Sequence, residues 1–414
     1  MSSKRGMFPI GAALLLAVGV GCDQSVDSIT AGVRSSAPDQ SRHSVAATNL
    51  YVANVEQLYA EVNNPENEGA VITLAPGSYV LSATNAGGVA RPNGGRLEMQ
   101  LDMSLYGVTG DRSAVVIDAG GLPASSFSKG VSFGRTGAVR IGRGSNAIEW
   151  LTILGNPDAA AGIAAELTGT PSTRIRVAHV VSGGSSRGID IRNVSATMVG
   201  RRIDAEIVDN ELIGPTQVVG MSEGIRLSNF VGADQGIVVA TLSGNRVHGF
   251  QLGCILANNR SSNASIEVRS SGDRFFGNAL GCLIAGGLSQ ATTGVANSNS
   301  TIFAAYGSEF VDNTAPIPGI DPGGVRVAGG LSTVQPNVTS GNTVSVALWG
   351  SKVSDNQVMN FEVFGAWLGL PAGVAGTNNH ATIELHGVSK QIDVSAAASV
   401  PVDPNGSNTV AVIR

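Results

Sequence analysis

A short pattern recurs along this chain and restricts its fold more than any other feature: a glycine, an apolar residue, any residue and a second apolar residue. Clear copies begin at Gly188, Gly224, Gly253, Gly281 and Gly324, and weaker copies begin at Gly162 and Gly365. Apolar residues alternate with other residues in each copy, so each copy is predicted to be a short strand. Strands that repeat without helices between them predict a chain wound into stacked coils, the parallel β-helix.

A second motif precedes most of these copies and adds a column of charge. It begins with a polar residue at Asn210, Asn245, Asp273, Ser308 and Ser351, and the residues that follow are Glu211, Arg246, Arg274, Glu309 and Lys352. Equivalent residues of successive coils lie beside one another in a wound chain. We therefore expect these five charged side chains to form a solvated column of mixed sign on the outside of the coil.

Two further sets of residues indicate how the coils stack. Asn193, Asn229 and Asn258 stand at the same distance after their pattern glycines, and Asn suits both a tight turn and a stack of amides along the coil axis. Cys254 and Cys282 share one inward position in consecutive coils. A disulfide and a pair of free buried thiols both remain open, and the side-chain directions of paired parallel strands favour free thiols.

The N-terminal segment has the pattern of an export signal. Lys4 and Arg5 precede an apolar stretch at 10–21 that is too short to span a bilayer comfortably. The sequence Gly19-Val20-Gly21-Cys22 resembles a bacterial lipobox, which implies cleavage before Cys22 and lipidation of its thiol. We expect a signal peptide at 1–21, a tether at 22–48 that begins with the lipidated Cys22, and a β-helix domain at 49–414. The protein would then be exported and anchored at the cell envelope.

The start of the predicted β-helix resembles a known superfamily. Val55–Val62 has helical spacing, and an apolar segment follows that contains Ala75-Pro76-Gly77-Ser78-Tyr79. This order resembles the opening of pectin-lyase-like proteins, and the later coils are similar to their repeat. The resemblance implies an all-β, single-stranded right-handed parallel β-helix, or solenoid, with a short N-terminal capping helix. It fixes no activity, because that superfamily contains lyases, hydrolases, epimerases, adhesins and spacers.

Motifs of two β-helix enzyme classes are missing from the sequence. Polygalacturonase-type hydrolases carry acids just before the glycine-pattern strand, whereas Ser186, Arg187, Leu252 and Leu280 stand there in this chain. Pectate-lyase chemistry needs clustered carboxylates for Ca²⁺ and a basic residue that removes a proton, and no such carboxylate cluster is predicted on this face. We therefore exclude polygalacturonase-type hydrolysis and leave a divergent lyase or hydrolase open.

Arg187, Asp190, Glu223 and Arg226 form the best polar cluster on the predicted outer face. In register, Arg187 would lie beside Glu223 and Asp190 beside Arg226, as two surface ion pairs worth about 0–1 kcal/mol each. The alternative is a catalytic carboxylate pair. Strand geometry predicts roughly 11 Å between Asp190 and Glu223, more than the about 5–9.5 Å of paired glycosidase acids, so ion pairs are favoured.

Arg326, Phe364 and Trp367 complete the set of candidate ligand-binding residues. An exposed aromatic ring on a rigid sheet can stack on a sugar, and an arginine can bond its hydroxyls or carboxylate. The alternative, which we favour, is that both aromatic side chains pack beneath the segment at 370–380.

Composition limits the partners of the protein. Charged residues make up 14% of the chain and the net charge is −5, so no basic surface for nucleic acid is indicated. The histidines, among them His179 and His248, have no partners at the spacing of a metal site, so no metal or other cofactor is predicted. We expect a monomer that contacts membrane only through its lipid anchor.

The leading hypothesis is therefore an exported, lipid-anchored β-helix that presents an elongated surface to polysaccharide or cell-envelope material without catalysis. The first alternative is a divergent polysaccharide lyase or glycoside hydrolase that acts on acidic polysaccharide, and the second is a structural spacer or adhesin. A deep cleft with converging polar groups would favour an enzyme, and a flat polar face would favour a binder or spacer.

Overall fold

A computed structural model describes most of the predicted β-helix domain. The described residues are 48–127, 137–156, 161–166, 172–194, 201–216, 221–230, 232–289, 295–315, 322–332, 339–357, 359–368, 377–388, 394–395 and 408–413. The predicted signal peptide and tether, apart from residue 48, lie outside them, so lipidation of Cys22 stays a prediction. In the described part of the chain, no helix has the length and apolar character needed to cross a membrane.

The described strands form three long sheets in which neighbours pair in parallel. The twelve-stranded sheet contains Asn49–Val52, Val71–Leu74, Ser104–Tyr106, Ser145–Glu149, Ser172–Ala178, Arg202–Val208, Ile237–Ser243, Ser265–Ser271, Ser300–Tyr306, Thr343–Trp349, His380–His386 and Thr409–Ile413. The ten-stranded sheet contains Leu97–Glu98, Gly137–Ile141, Ala161–Glu166, Arg187–Val194, Glu223–Phe230, Leu252–Asn259, Leu280–Ser289, Gly323–Ser332, Met359–Leu368 and Val394–Ser395. The nine-stranded sheet contains Gly77–Val80, Val115–Asp118, Thr152–Leu154, Val181–Gly183, Glu211–Ile213, Arg246–His248, Arg274–Phe276, Glu309–Val311 and Lys352–Ser354.

Shorter elements complete the described fold. Ala296–Asn297 pairs with Thr339–Ser340 in a separate two-stranded sheet, and 3-10 helices lie at Pro65–Asn67, Pro92–Gly95 and Ala124–Ser126. Most coils contribute one strand to each of the three long sheets before the chain continues on the next coil. The predicted all-β parallel β-helix is therefore confirmed.

The core is a set of internal columns that run through successive coils. Ile189 pairs with Ile225, which pairs with Cys254, and Cys254 pairs with Cys282. All four side chains are buried in one continuous apolar cluster, as the repeat predicts. Cys254 and Cys282 are free thiols, in agreement with the favoured prediction. The neighbouring Cys282 thiol, together with burial, raises the pKa of the Cys254 thiol well above its ordinary value.

The predicted capping helix is present at Val55–Val62, between the first two strands of the twelve-stranded sheet. Asn54 begins it, since its side-chain oxygen accepts a hydrogen bond from the Gln57 amide at 3.0 Å. Leu58 and Val62 are fully buried in the core, and the Tyr59 hydroxyl donates to the Gly95 carbonyl at 2.6 Å. The helix therefore covers the N-terminal end of the coil, where apolar side chains and a sheet edge would otherwise face water.

Buried asparagine side chains bond along the coil axis, as the sequence predicts. The Asn193 amide donates to Asn229 at 3.1 Å, and the Asn229 amide donates to Asn258 at 2.7 Å. These residues lie within strands of the ten-stranded sheet, so the left-handed turn also considered for them is wrong. A second column runs from Asn210 through Asn245 to Asp273.

Asp273 places a carboxylate between the asparagines of its column and the serines, Ser308 and Ser351, that hold this position in the next coils. Its Oδ1 accepts two hydrogen bonds from Asn245, each at 2.8 Å, and its Oδ2 accepts one from the Ser270 hydroxyl at 2.6 Å. Burial outweighs these bonds and raises the pKa of Asp273. The ionised form therefore weakens the fold at neutral pH, and this penalty disappears as the pH falls below the raised pKa.

We predict that Asp273→Asn raises the free energy of unfolding by about 1 kcal/mol at neutral pH, since an amide keeps the acceptor and removes the buried charge. The gain should shrink in acid, where Asp273 is protonated. Urea unfolding at neutral and acidic pH measures both effects. The reverse change, Asn245→Asp, is the control and should destabilise the protein. A less stable Asp273→Asn variant at neutral pH would contradict the prediction.

Candidate functional site

The candidate ligand-binding residues predicted from the sequence lie on strands of the ten-stranded sheet. Arg187 pairs with Glu223 and Asp190 with Arg226 in the register, as predicted. Asp190 is only 2% exposed, Glu223 1% and Arg226 5%. The prediction of surface ion pairs is therefore wrong: these side chains point away from the central core, yet three of them are buried and the Arg187 side chain is only 18% exposed.

These four residues form a network with Arg192, a residue that the repeat pattern does not single out. Arg187 Nε donates to Glu223 Oε2 at 2.7 Å, and one terminal nitrogen of Arg226 lies 2.9 and 3.0 Å from the two Glu223 oxygens. Arg192 binds both oxygens of Asp190, at 2.7 and 2.6 Å. Each carboxylate thus contacts more than one guanidinium, because Arg187 also lies 3.6 Å from Asp190.

Electrostatics in this network favour ionised carboxylates. Burial would raise the pKa of Glu223, but Arg226 and Arg187 outweigh it and lower that pKa. Burial is likewise outweighed at Asp190, where Arg192 and Arg187 lower the pKa. Burial lowers the pKa of Arg192 to about 10 despite the Asp190 charge. A general acid needs a raised carboxyl pKa, so this pair is poorly suited to glycoside hydrolysis.

Two further candidates on this sheet, Arg326 and Phe364, are also withdrawn from solvent. Arg326 forms a close ion pair with Glu362 and is 6% exposed. Phe364 is 4% exposed and packs in a second apolar cluster outside the core. The segment predicted to cover it, at 370–380, lies outside the described residues except for 377–380, so that packing stays a prediction. That cluster contains Leu252, Ile255, Ala257, Ala279, Leu280, Leu283, Ala285, Leu288, Ala328, Leu331 and Phe364.

Taking Gly365 as a pattern glycine predicts Trp367 in the register position beside Arg326, and this prediction is wrong. Arg326 pairs with Glu362, and Trp367 pairs with Leu331 further along the same two strands. The physical reason is that this coil begins its pattern at Asn360, opposite Gly324, so the copy assigned to Gly365 is out of register. The side chain of Trp367 lies outside the described residues.

An accessible cavity lies elsewhere, at the corner between the twelve-stranded and nine-stranded sheets. We call it the corner cleft; its volume is about 310 Å³. It is lined by Gly110, Arg112, Trp150, His179, Asp209, Asn210, Gly244 and Arg246. The cleft combines an aromatic ring, an imidazole, a carboxylate and two guanidinium groups.

The three central residues of the corner cleft come from consecutive coils and share a strained, left-handed backbone conformation. Trp150, His179 and Asp209 have φ values of 59°, 56° and 51°. Glycine holds the corresponding corner of the later coils, at Gly244, Gly272, Gly307, Gly350 and Gly387. The left-handed region costs an ordinary residue about 1–2 kcal/mol relative to glycine. Three costly side chains in consecutive coils mark this corner as a functional candidate.

The side chains of this column contact one another. The Trp150 and His179 rings stack with centroids 3.9 Å apart and an angle of 16° between planes. His179 Nδ1 lies 3.6 Å from Asp209 Oδ2. Among the described residues, no group bonds His179 Nε2, and no ring covers the second face of Trp150. The cleft thus offers an aromatic face and a free imidazole nitrogen.

Two arginines border these groups. Arg112 donates to the Asp209 carbonyl at 3.2 Å and lies 3.3 Å from the Glu211 carboxylate. The Arg246 side chain is exposed and lies over the Phe276 ring at 5.3 Å. Within the described part of the chain, no carboxylate forms an ion pair with Arg246. Its donors are therefore available to an anionic ligand.

The predicted column of mixed charge begins at this cleft and is confirmed. Glu211, Arg246, Arg274, Glu309 and Lys352 are register partners on successive strands of the nine-stranded sheet. Arg274 and Glu309 form an ion pair at 3.1 Å. The column continues the charged surface of the cleft along the coil axis.

The sequence does not predict the corner cleft, since His179 has no partner at the sequence spacing of a known site. The available signal was positional, since Trp150, His179 and Asp209 stand at the corner where later coils hold glycine. The three residues share no residue type, so a search for a repeated sequence pattern does not find them. The described residues contain no group of three His, Cys, Asp or Glu side chains placed to hold a metal ion.

Comparison with known proteins adds two distant structural similarities. No protein-family model and no curated protein matches the sequence. The A-module of the Azotobacter vinelandii mannuronan C-5 epimerase AlgE4 is 15% identical, with 87% of this chain and 96% of that chain covered and a TM-score of 0.41. The A-module of AlgE6 from the same organism is 14% identical, with coverage of 87% and 97% and a TM-score of 0.34. Neither similarity indicates what activity this protein has. The chain is a parallel β-helix protein, as its own strand order and register establish.

Proposed function

We propose that this protein binds an anionic polysaccharide at the corner cleft, without catalysis, as an exported and lipid-anchored β-helix. The observation that carries the proposal is the stack of Trp150 on His179 beside Arg112 and Arg246 in an open cavity. An indole face packs against the apolar face of a sugar ring, and a guanidinium bonds a carboxylate or sulfate in a bidentate manner. The rigid coil positions these groups before any ligand arrives, which lowers the entropy cost of binding.

Titration with oligogalacturonate, and with a neutral maltooligosaccharide as the uncharged comparison, tests the proposal. We predict that the charged oligomer binds and that Trp150→Ala weakens its binding at least about tenfold, equivalent to about 1.4 kcal/mol. Trp349→Ala is the matched control, because Trp349 is another surface ring, stacked on Tyr306 in distant coils. The Trp349→Ala variant should bind oligogalacturonate with the affinity of the unaltered protein.

Two outcomes would contradict this function. One is the absence of binding to every acidic polysaccharide of a broad glycan array. The other is oligogalacturonate binding that Trp150→Ala leaves unchanged.

The anchor is proposed from the sequence and has its own test. Metabolic labelling with a fatty acid should modify the full chain, and Cys22→Ser should abolish the label. A Cys22→Ser variant that still carries the label would overturn the proposed site of lipidation.

A lyase is the second candidate function, and the His179–Asp209 pair is the observation that favours it. Asp209 lies against Nδ1, so Nε2 of a neutral His179 could accept the proton from the carbon beside a uronate carboxylate. Departure of the glycosidic oxygen, which takes up a proton, would then leave a carbon–carbon double bond. Unsaturated products from polyuronates, lost in His179→Gln with binding retained, would establish it over the non-catalytic function.

A further inference from the structure

A second cavity lies on the outer face of the twelve-stranded sheet. We call it the sheet cleft; its volume is about 450 Å³. Its outward-facing polar side chains come from Ser104, Tyr106, Ser145, Arg174, Arg176, Asp204, Glu206 and Thr241. The cleft therefore combines an aromatic ring, hydroxyls and charges of both signs.

Arg174 is the charged group in the sheet cleft that is available to a ligand. Arg176 lies 2.9 Å from Glu149 and forms a close pair with Glu206, and Asp204 is held by Arg202 at 2.7 Å. In the described part of the chain, by contrast, no carboxylate pairs with the exposed Arg174 side chain. An anionic ligand would therefore meet one arginine whose donors are not already committed.

The sheet cleft and the corner cleft span the same five coils. The coil that supplies Arg174 and Arg176 to the first supplies His179 to the second, and the coil of Asp204 supplies Asp209. Each step between coils is about 4.8 Å, so both clefts run for roughly 19 Å along the axis. The two clefts are parallel neighbours and not successive parts of one groove.

A column of register positions without a free cation lies between the two clefts. Glu149, Ala178, Val208 and Ser243 occupy it in four coils, and Tyr106, which lines the sheet cleft, occupies it in the first. The only charge in that column is the Glu149 carboxylate, which Arg176 holds at 2.9 Å. An anionic chain that crossed this column would lose its contact with Arg174 or Arg246 and gain no cation in exchange.

We infer that the sheet cleft is a second anionic-polysaccharide site, and that the protein holds two chains side by side on the same coils. Arg174 would bind an acidic group of the second chain, Tyr106 would pack against a sugar ring, and the hydroxyls would bond those of the sugar. The inference rests on the proposed function, because it gives the corner cleft the same class of ligand. Its consequence is that the protein would cross-link polysaccharide chains.

Calorimetric titration of the full chain with oligogalacturonate tests this inference. We expect two oligomers per protein. Arg174→Ala should remove one site and leave the other, Trp150→Ala should remove the other, and the double variant should not bind. Arg269→Ala is the matched control: it removes an arginine from the same sheet face, 70% exposed and outside both clefts. Long polygalacturonate should become turbid with the unaltered protein and stay clear with either single variant.

The results separate the two proposals. One possible result is a single oligomer per protein, whose binding Trp150→Ala abolishes and Arg174→Ala leaves unchanged. This result overturns the second site and leaves the proposed function intact. One oligomer that both variants weaken also overturns it, since a single chain would then contact both clefts. Loss of all binding in Arg174→Ala alone, with the circular dichroism of the fold retained, would contradict the independence of the clefts.

Discussion

Glu223→Gln is expected to lower the free energy of unfolding by about 3–5 kcal/mol, the usual cost of removing one partner from a buried charge network. Glu223 is 1% exposed, and it is the carboxylate that Arg226 bonds at 2.9 Å and Arg187 at 2.7 Å. A neutral amide leaves two buried guanidinium groups with less opposing charge. Among the described residues, Arg226 Nε already has no hydrogen-bond partner, so Arg226 has little means of compensation.

The effect should depend on pH in a defined direction. The pKa values of Asp190 and Glu223 are lowered in the folded state from ordinary values of 3.8 and 4.5. A lowered carboxyl pKa stabilises the fold above the unfolded value, and this contribution disappears as the pH falls through the folded one. The unaltered protein should therefore lose stability below about pH 4, and Glu223→Gln should lose less there.

Urea unfolding followed by circular dichroism measures the change, and hydrogen exchange shows whether the coils of Glu223 and its neighbours open first. Glu309→Gln is the control, because it removes a carboxylate from an ion pair with Arg274 that is about 40% exposed. Its cost should stay within about 0.5 kcal/mol, as for other surface pairs. Equal stabilities of the two variants would show that the buried network around Glu223 contributes no more to the free energy of unfolding than the exposed Arg274–Glu309 pair.

The register of this network followed from the sequence, but its burial did not. Counting from Gly188 and Gly224 places Arg187 beside Glu223 and Asp190 beside Arg226, since parallel strands of successive coils align their patterns. The same count shows which side chains point away from the core. It does not show what packs against them. Leu252 and Ile255 lie beside Glu223 and Arg226 in the register, and the Phe230 ring lies 5.2 Å from the Arg192 guanidinium and 5.8 Å from that of Arg226.

The wrong position of Trp367 and the unpredicted corner cleft have different physical causes. Trp367 was assigned to the wrong register position because Asn360 replaces the glycine at the start of its coil. The corner cleft was missed because Trp150, His179 and Asp209 share a backbone conformation and no residue type. A repeated sequence pattern can predict packing that repeats from coil to coil. A site built from unlike residues requires the coordinates that bring them together.

Gly244 and Gly272 offer a controlled test of the corner cleft, because they hold the same backbone conformation in neighbouring coils. Their φ values are 67° and 64°, so an alanine at either position should cost about 1–2 kcal/mol of stability. The surroundings differ. A Cβ atom on Gly244 would lie 2.4 Å from Asp209 Oδ1, whereas a Cβ atom on Gly272 would have nothing within 4 Å.

Gly244→Ala should therefore displace the Asp209 carboxylate from His179 and disturb the imidazole on which Trp150 stacks. We predict that this variant binds oligogalacturonate about tenfold more weakly, a loss of about 1.4 kcal/mol, and that Gly272→Ala binds with unchanged affinity. Calorimetric titration gives both affinities, and thermal unfolding checks that the two variants are equally destabilised. Equal affinities in the two variants would show that the position of Asp209 does not matter to the ligand. A matched loss in both would point to general loosening of the coil, since strain is all that they share.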